Sequence, residues 1–256
     1  MIEKLNYFKD PNFVFNEAEH TYKYYDPTSG QAIQQFMSVT QFLSRFKKPF
    51  EQDMIAWRVA KKRGTTKAVV LAEWKEISDI ALSLGTNVHK WIEDYYNGDN
   101  PQMPTHPEEL ARVNKFIQIY ESKLSKFTPK YQEFRLFSRK WGLAGTLDIL
   151  FQLGDKYYVG DWKTNKKFTC DSDSEGRKQK LLWPFDDLYD NSLNGYSIQL
   201  SMYRLMMQTE ADFDTNGAFL VWIGPNGEPE LHKTVDLRER LYDYLKKEPM
   251  QGKLLM

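Results

Sequence analysis

Runs of strand-forming residues alternate with stretches of helical spacing along this chain, and the strongest strand pattern lies at its centre. Across residues 142–164, two β-branched and aromatic runs are joined by Gly154-Asp155, which signals a tight hairpin. Residues 131–137 read as a strand before it, with a reversal around Arg139 to Gly142. Residues 13–15, 20–25 and 32–37, separated by polar turn residues, predict an N-terminal β-meander. Ser38 and Gln41 make a capping box for a short helix through Phe46, which Pro49 ends. Helical spacing follows over about 51–63, 67–96, 108–126 and 196–207. A second hairpin is expected from 218–223 and 230–235, with Asp236 capping a last helix through Lys247. Residues 165–194 have no clear period and read as a mobile surface loop.

The central hairpin carries candidate chemistry. If Leu153 and Lys156 flank a two-residue turn, counting back along both strands puts Asp148 directly opposite Asp161. Cross-strand Cβ atoms lie about 4.5–5.5 Å apart, where like charges repel. A cation between the two carboxylates would remove that penalty. Alternation gives Lys163 the face of Asp161 and turns Trp162 towards a core. Glu133 comes near Asp148 if the preceding reversal closes tightly. The competing reading is a surface hairpin with solvated acids. In the 67–96 helix, Val88, Trp91, Ile92 and Tyr95 form an apolar stripe, and His89 and Glu93, four apart, share a neighbouring face. His89 is either a partner for a carboxylate or a metal ligand, and Glu93 either joins it or pairs at the surface with Lys90 or Asn97. Gln199 and Tyr203 also share one helix face.

Composition narrows the picture. The 256 residues, 41% of them apolar, suit one large domain. We divide it into 1–66 (meander and helices), 67–215 (core) and 216–256 (hairpin and helix). Lys plus Arg and Asp plus Glu both number 35, so any attraction to nucleic acid has to come from local clusters. Lys61, Lys62 and Arg63 form one cluster, which equally suits the negative end of a helix dipole. Lys166 and Lys167, then Arg177, Lys178 and Lys180, surround Asp171, Asp173 and Glu175 in the loop. Trp183, Phe185 and Tyr189 there either stack on unpaired bases or pack on the core. The single Cys170 cannot form an internal disulfide or supply the four thiolates of an iron–sulfur cluster. No Gly-x-x-x-x-Gly-Lys-Ser/Thr loop is present, so no ATP-driven motor is expected. Without a secretory pattern at Met1 to Asn6 or a run near eighteen apolar residues, a cytoplasmic protein with no membrane partner is expected.

Gly145-Thr146-Leu147-Asp148 followed by Asp161-Trp162-Lys163 resembles the PD-(D/E)XK nuclease superfamily, in its RecB-like branch, where Gly-x-x-Asp is the common form. Gly85-x-x-x-His89 before Glu93 is similar to the first motif of that branch, and Gln199-x-x-x-Tyr203 to its last. The resemblance runs from Gly85 to Met207, with four motifs in order. Ser38-Val39-Thr40 and Phe50 also look like phage-type exonucleases, the group related to the mitochondrial genome maintenance exonuclease.

The resemblance implies an α/β, restriction-endonuclease-like core: a mixed central sheet flanked by helices, carrying the N-terminal β-meander. It implies Mg²⁺ or Mn²⁺ held by Asp148, Asp161, the Trp162 carbonyl and His89, with Glu133 and Glu93 as outer or second-metal ligands. Lys163 would steady the attacking hydroxide or the transition-state charge. Gln199 and Tyr203 would orient the site and contact the nucleic-acid backbone. The expected activity is hydrolysis of DNA from free ends of single strands, in a bacterial host's cytoplasm if the gene is phage-borne. Replication or recombination proteins are the implied partners. The alternatives are a structure-selective endonuclease on the same core and a nuclease-fold module that binds DNA or protein without cutting.

Overall fold

The computed structural model describes residues 1–17, 19–172, 176 and 178–248, and the backbone of 253–254. A 3₁₀ segment (Ile2–Lys9) precedes β1 (Phe13–Asn16), β2 (Thr21–Tyr25) and β3 (Ala32–Ser38). Four helices follow, α1 (Val39–Leu43), α2 (Gln52–Arg63), α3 (Lys67–Asn97) and α4 (Pro107–Ile119). The central strands are β4 (Thr128–Ser138), β5 (Leu143–Leu153) and β6 (Lys156–Lys163). Then come α5 (Ser192–Ala211), β7 (Gly217–Trp222), β8 (Glu230–Lys233), α6 (Arg238–Lys247) and a short β9 (Lys253–Leu254).

The strands make a mixed sheet with helices on both faces. Its path is β1-β2-β3-β5-β6-β7-β8, with β4 added to β5 and β9 to β3. Gly154, at φ +63°, makes the two-residue turn, and Leu153 faces Lys156, the expected register. The left-handed backbone there is one that glycine adopts without steric cost.

The sheet forks beside β5. Because β4 pairs with β5 from Thr128↔Gln152 to Ser138↔Leu143, both β3 and β6 have to use the other edge of β5. β3 runs parallel and meets only Leu143 and Ala144. β6 runs antiparallel and is registered from Leu153 back to Ile149. Residues 145–148 lie between the two ladders, so the C-terminal ends of β3 and β6 approach each other head-on.

Two cores flank the fork. On one face α1, α5, α6 and the N-terminal segment cover β1 to β7; on the other α3 and α4 cover β5 to β7. Alternation along β6 sends Trp162 into the second core, against Tyr96 (6.1 Å, stacked) and Phe116 (5.4 Å, edge-on). Asp161 and Lys163 therefore face α5. α3 reaches the end of β6 because Gly85 has no side chain: a Cβ there would lie 3.2 Å from Thr164 Oγ1. Val88, Trp91 and Ile92, all buried, fix the helix in that position, each side chain contributing about 1.5–3 kcal/mol.

Some local expectations need correction. The 108–126 pattern is α4 followed by a π turn at Tyr120–Leu124. The last helix begins after Leu237, and Asp236 accepts the Arg238 N–H from outside it (3.1 Å). The described part of the 165–194 loop is docked rather than loose. Leu182 N–H donates to the Phe46 carbonyl (2.7 Å), and Arg240 pairs with Asp187 (2.5 Å). Phe185 is fully buried against Phe46 (4.9 Å), so it belongs to the core and offers no ring to a base. Trp183 is 53% exposed and lies against Tyr244. Among the described residues, no helix is long and apolar enough to cross a membrane.

Candidate metal centre

The fork gathers side chains from four elements. Asp148, on the unpaired stretch of β5, accepts the Trp162 N–H (2.8 Å), continuing the hairpin by a side-chain bond where its ladder stops. Glu133 lies between the registered pairs Gln132↔Ile149 and Phe134↔Leu147, and so opposite Asp148. Its φ of +43° is in the left-handed region, a conformation that costs about 1–3 kcal/mol and persists only where the surroundings impose it. His89 comes from α3, one turn after Gly85. Its Nε2 is 3.1 Å from the Trp162 carbonyl, a contact that requires the proton on Nε2. In the neutral ring, the Nδ1 lone pair then faces Asp148 Oδ2 at 3.6 Å.

Two acceptors facing each other with no proton between them repel unless a cation intervenes. One ligand atom from each of His89, Glu133 and Asp148 lies within 4.8 Å of the other two. This donor set, one imidazole nitrogen and hard carboxylate oxygens, can hold a divalent cation. The field around it is strongly negative. Crowding by protein atoms, then the charges of Asp148, Glu93 and Asp161, push the Glu133 carboxyl up to about 8, although its outer atoms reach solvent.

Asp161 is not one of the three but lies within reach of Asp148's charge. It is 1% exposed, and its Oδ2 lies 2.5 Å from Lys163 Nζ. Burial, then the charge of Asp148, raises its pKa against the pull of Lys163. For Lys163 burial disfavours the charge, but Asp161 and Asp148 outweigh it and hold the ammonium protonated. The arrangement is a fixed cation beside a cluster of carboxylates.

The remaining expected site residues fall into distinct places. The Trp162 carbonyl, expected as a bare ligand, is engaged by His89. Glu93 pairs with Lys90 (3.2 Å), the surface alternative, while its charge still reaches Glu133. Gln199 Nε2 donates to the Tyr203 hydroxyl (3.2 Å). At 9% and 3% exposure the two support the strand and present almost no surface to a nucleic-acid backbone. Tyr203 packs where Gly145 has no side chain: a Cβ there would be 2.7 Å from its ring.

Lys61, Lys62 and Arg63 do not converge on the acids. They are exposed at the end of α2, and roughly 30 Å of helix separates the start of α3 from His89 at 1.5 Å per residue. Arg63 pairs with Glu73 (2.7 Å) and Lys61 covers the Trp57 ring. Lys166, Lys167, Lys178 and Lys180 are exposed on the loop that leaves Lys163. Arg177, Asp173 and Glu175 lie outside the described residues.

Two neighbours of the site carry no motif. Arg112, 2% exposed, donates from Nε to the Thr164 carbonyl (3.0 Å) and from Nη1 to the Glu108 carbonyl (2.8 Å), fixing the chain just after Lys163. Its only signal in the sequence is a lone arginine within the apolar spacing of α4. Tyr196 of α5 places its ring 4.3 Å from Lys163 Nζ.

Replacing His89 gives a graded test. His89→Ala is expected to weaken Mn²⁺ binding roughly 10- to 100-fold, read by calorimetry. Unchanged Mn²⁺ affinity would remove His89 from the shell.

No family model matches the sequence, and no curated protein matches it. Among solved structures the chain is similar to the crystal structure of a "putative exonuclease" from Eubacterium rectale, at 14% sequence identity and a TM-score of 0.41. The match covers 65% of this chain and 65% of that one, so the chain spans about two thirds of the length of that protein.

Proposed function

We propose that the chain is a metal-dependent deoxyribonuclease built on a PD-(D/E)XK core, acting from free ends of single-stranded DNA. The observation that carries this reading is the approach of His89, Glu133 and Asp148 to one point, with the Asp161–Lys163 pair beside it. The free-end and single-strand preferences follow from the motif resemblance.

His89, Glu133 and Asp148 would hold Mg²⁺ or Mn²⁺, which lowers the pKa of a bound water and polarises a phosphate. The chain's own residues supply the rest. Asp148 ties the cluster to β6 through the Trp162 N–H, and the His89 Nε2–H···O bond to the Trp162 carbonyl fixes the imidazole tautomer that leaves Nδ1 free. Lys163 brings a permanent ammonium to the place where charge accumulates on the phosphate oxygens, so it stabilises the transition state more than the bound substrate. Asp161 keeps that ammonium charged in a buried setting.

Cation binding should stabilise the fold as well as permit chemistry, because it relieves the repulsion among the acids. At a hundredfold excess over Kd, Mg²⁺ or Mn²⁺ is expected to add about 2.7 kcal/mol, seen as a higher melting temperature that EDTA reverses. A melting temperature indifferent to saturating cation would overturn the assignment of the cluster.

Activity is tested by digesting end-labelled linear and closed circular single-stranded DNA with Mg²⁺, Mn²⁺ or EDTA. Progressive loss of the linear strand, survival of the circle and silence in EDTA are expected. Rapid cutting of the circle would replace the exonuclease reading with the endonuclease alternative. Binding of DNA with no cutting under any cation would leave the non-catalytic module.

A further inference from the structure

Lys163 carries a point charge on a flexible four-carbon stem, and such a charge stabilises a transition state only if it is held in one direction. Asp161, 2.5 Å from Nζ, holds the ammonium from one side only. The other group on the ammonium is the face of Tyr196, whose centroid lies 4.3 Å from Nζ. A ring face at this distance attracts a cation, more strongly where both are shielded from water, and the Lys163 side chain is 16% exposed.

The ring is itself supported. Tyr196 stacks on Phe168 (6.3 Å, 19°), and Phe168 stacks on His232 of β8 (4.4 Å, 23°). Trp222 closes the side of this stack, its ring 6.2 Å from that of Phe168, and its Nε1 donates to the Asn165 carbonyl (2.8 Å). The stack thus joins α5, the loop after Lys163 and the β7–β8 hairpin around one ammonium. Tyr196 packs against the main core and onto Phe168, yet its ring also lies over a charge.

We propose that Tyr196 is a positioning residue: its ring, backed by the Phe168–His232 stack, holds the Lys163 ammonium beside Asp161 and aimed at the acid cluster. The inference rests on the nuclease reading of Lys163. Because the ring face and not the hydroxyl acts, Tyr196→Phe should keep kcat within about twofold of the wild-type value. Tyr196→Leu removes the ring and should lower kcat roughly tenfold, with KM for DNA and Mn²⁺ affinity unchanged. Added to Lys163→Ala, Tyr196→Leu should lower kcat no further. A Leu variant with wild-type kcat, a Phe variant as slow as the Leu variant, or effects that multiply in the double variant would each overturn the proposal.

A second readout does not depend on cutting. In protein labelled with ¹³C-lysine, the Lys163 Hε resonances should lie upfield of the other lysines in the wild-type and Phe proteins, and return to the ordinary position in the Leu protein. The same position in all three proteins would overturn the proposal. If the wild-type protein cuts no DNA with either cation, the nuclease reading falls, and these resonances still decide whether the ring holds the ammonium.

Discussion

Asp148→Asn is expected to abolish cutting while leaving a folded protein. The substitution removes one of the two carboxylate charges that would hold the cation, and the loss should be roughly 10³-fold or more. It keeps a side-chain oxygen, so the Trp162 N–H that Asp148 accepts at 2.8 Å still has a partner. It also removes a like charge that faces Glu133 and acts on Asp161. The metal-free variant should therefore melt at the same temperature as the wild type or above it, and it should lose the extra stability that Mn²⁺ confers. Loss of activity through unfolding would give the opposite melting behaviour. Full hydrolysis by the Asn variant would sink the assignment of Asp148.

Lys163→Ala should separate two roles that Asp148→Asn merges. The ammonium lies against a buried carboxylate rather than within the cluster of three, so calorimetric Mn²⁺ binding should persist. Turnover should fall about 10²- to 10³-fold, the cost of removing one preorganised charge from a developing oxyanion. Removing the lysine also strands Asp161, which is 1% exposed. Breaking a buried pair from one side typically costs about 3–5 kcal/mol, so the variant should melt lower and has to be assayed well below its transition. Cutting at the normal rate would remove Lys163 from the site.

Much of the centre was legible because local signals fix it. Gly154-Asp155 sets the turn length, and turn length sets the pairing of every residue along both strands. The reversal before β5 left the register of Glu133 open, and only the structure puts it opposite Asp148. Gly85 and Gly145 were visible as motif glycines, and each makes room for one contact, with Thr164 and with Tyr203. What could not be read depends on distant pairing. The parallel contact of Ser38 with Ala144 joins residues far apart in sequence and leaves no local mark. The fork that this contact creates was therefore invisible. The same holds for Arg112 and Tyr196, whose partners are a carbonyl and an ammonium at the end of β6. Phe185 shows the limit of composition: an aromatic in a loop rich in lysine suits a stacking platform and a core position alike until its burial against Phe46 is known.

The central claim is that one divalent cation binds among His89, Glu133 and Asp148. Anomalous diffraction from crystals soaked in Mn²⁺ near neutral pH measures this directly. The expected result is the strongest anomalous peak within coordination distance of His89 Nδ1 and the carboxylates of Glu133 and Asp148, absent after EDTA. A map whose peaks lie elsewhere, with none among those three side chains, would contradict it.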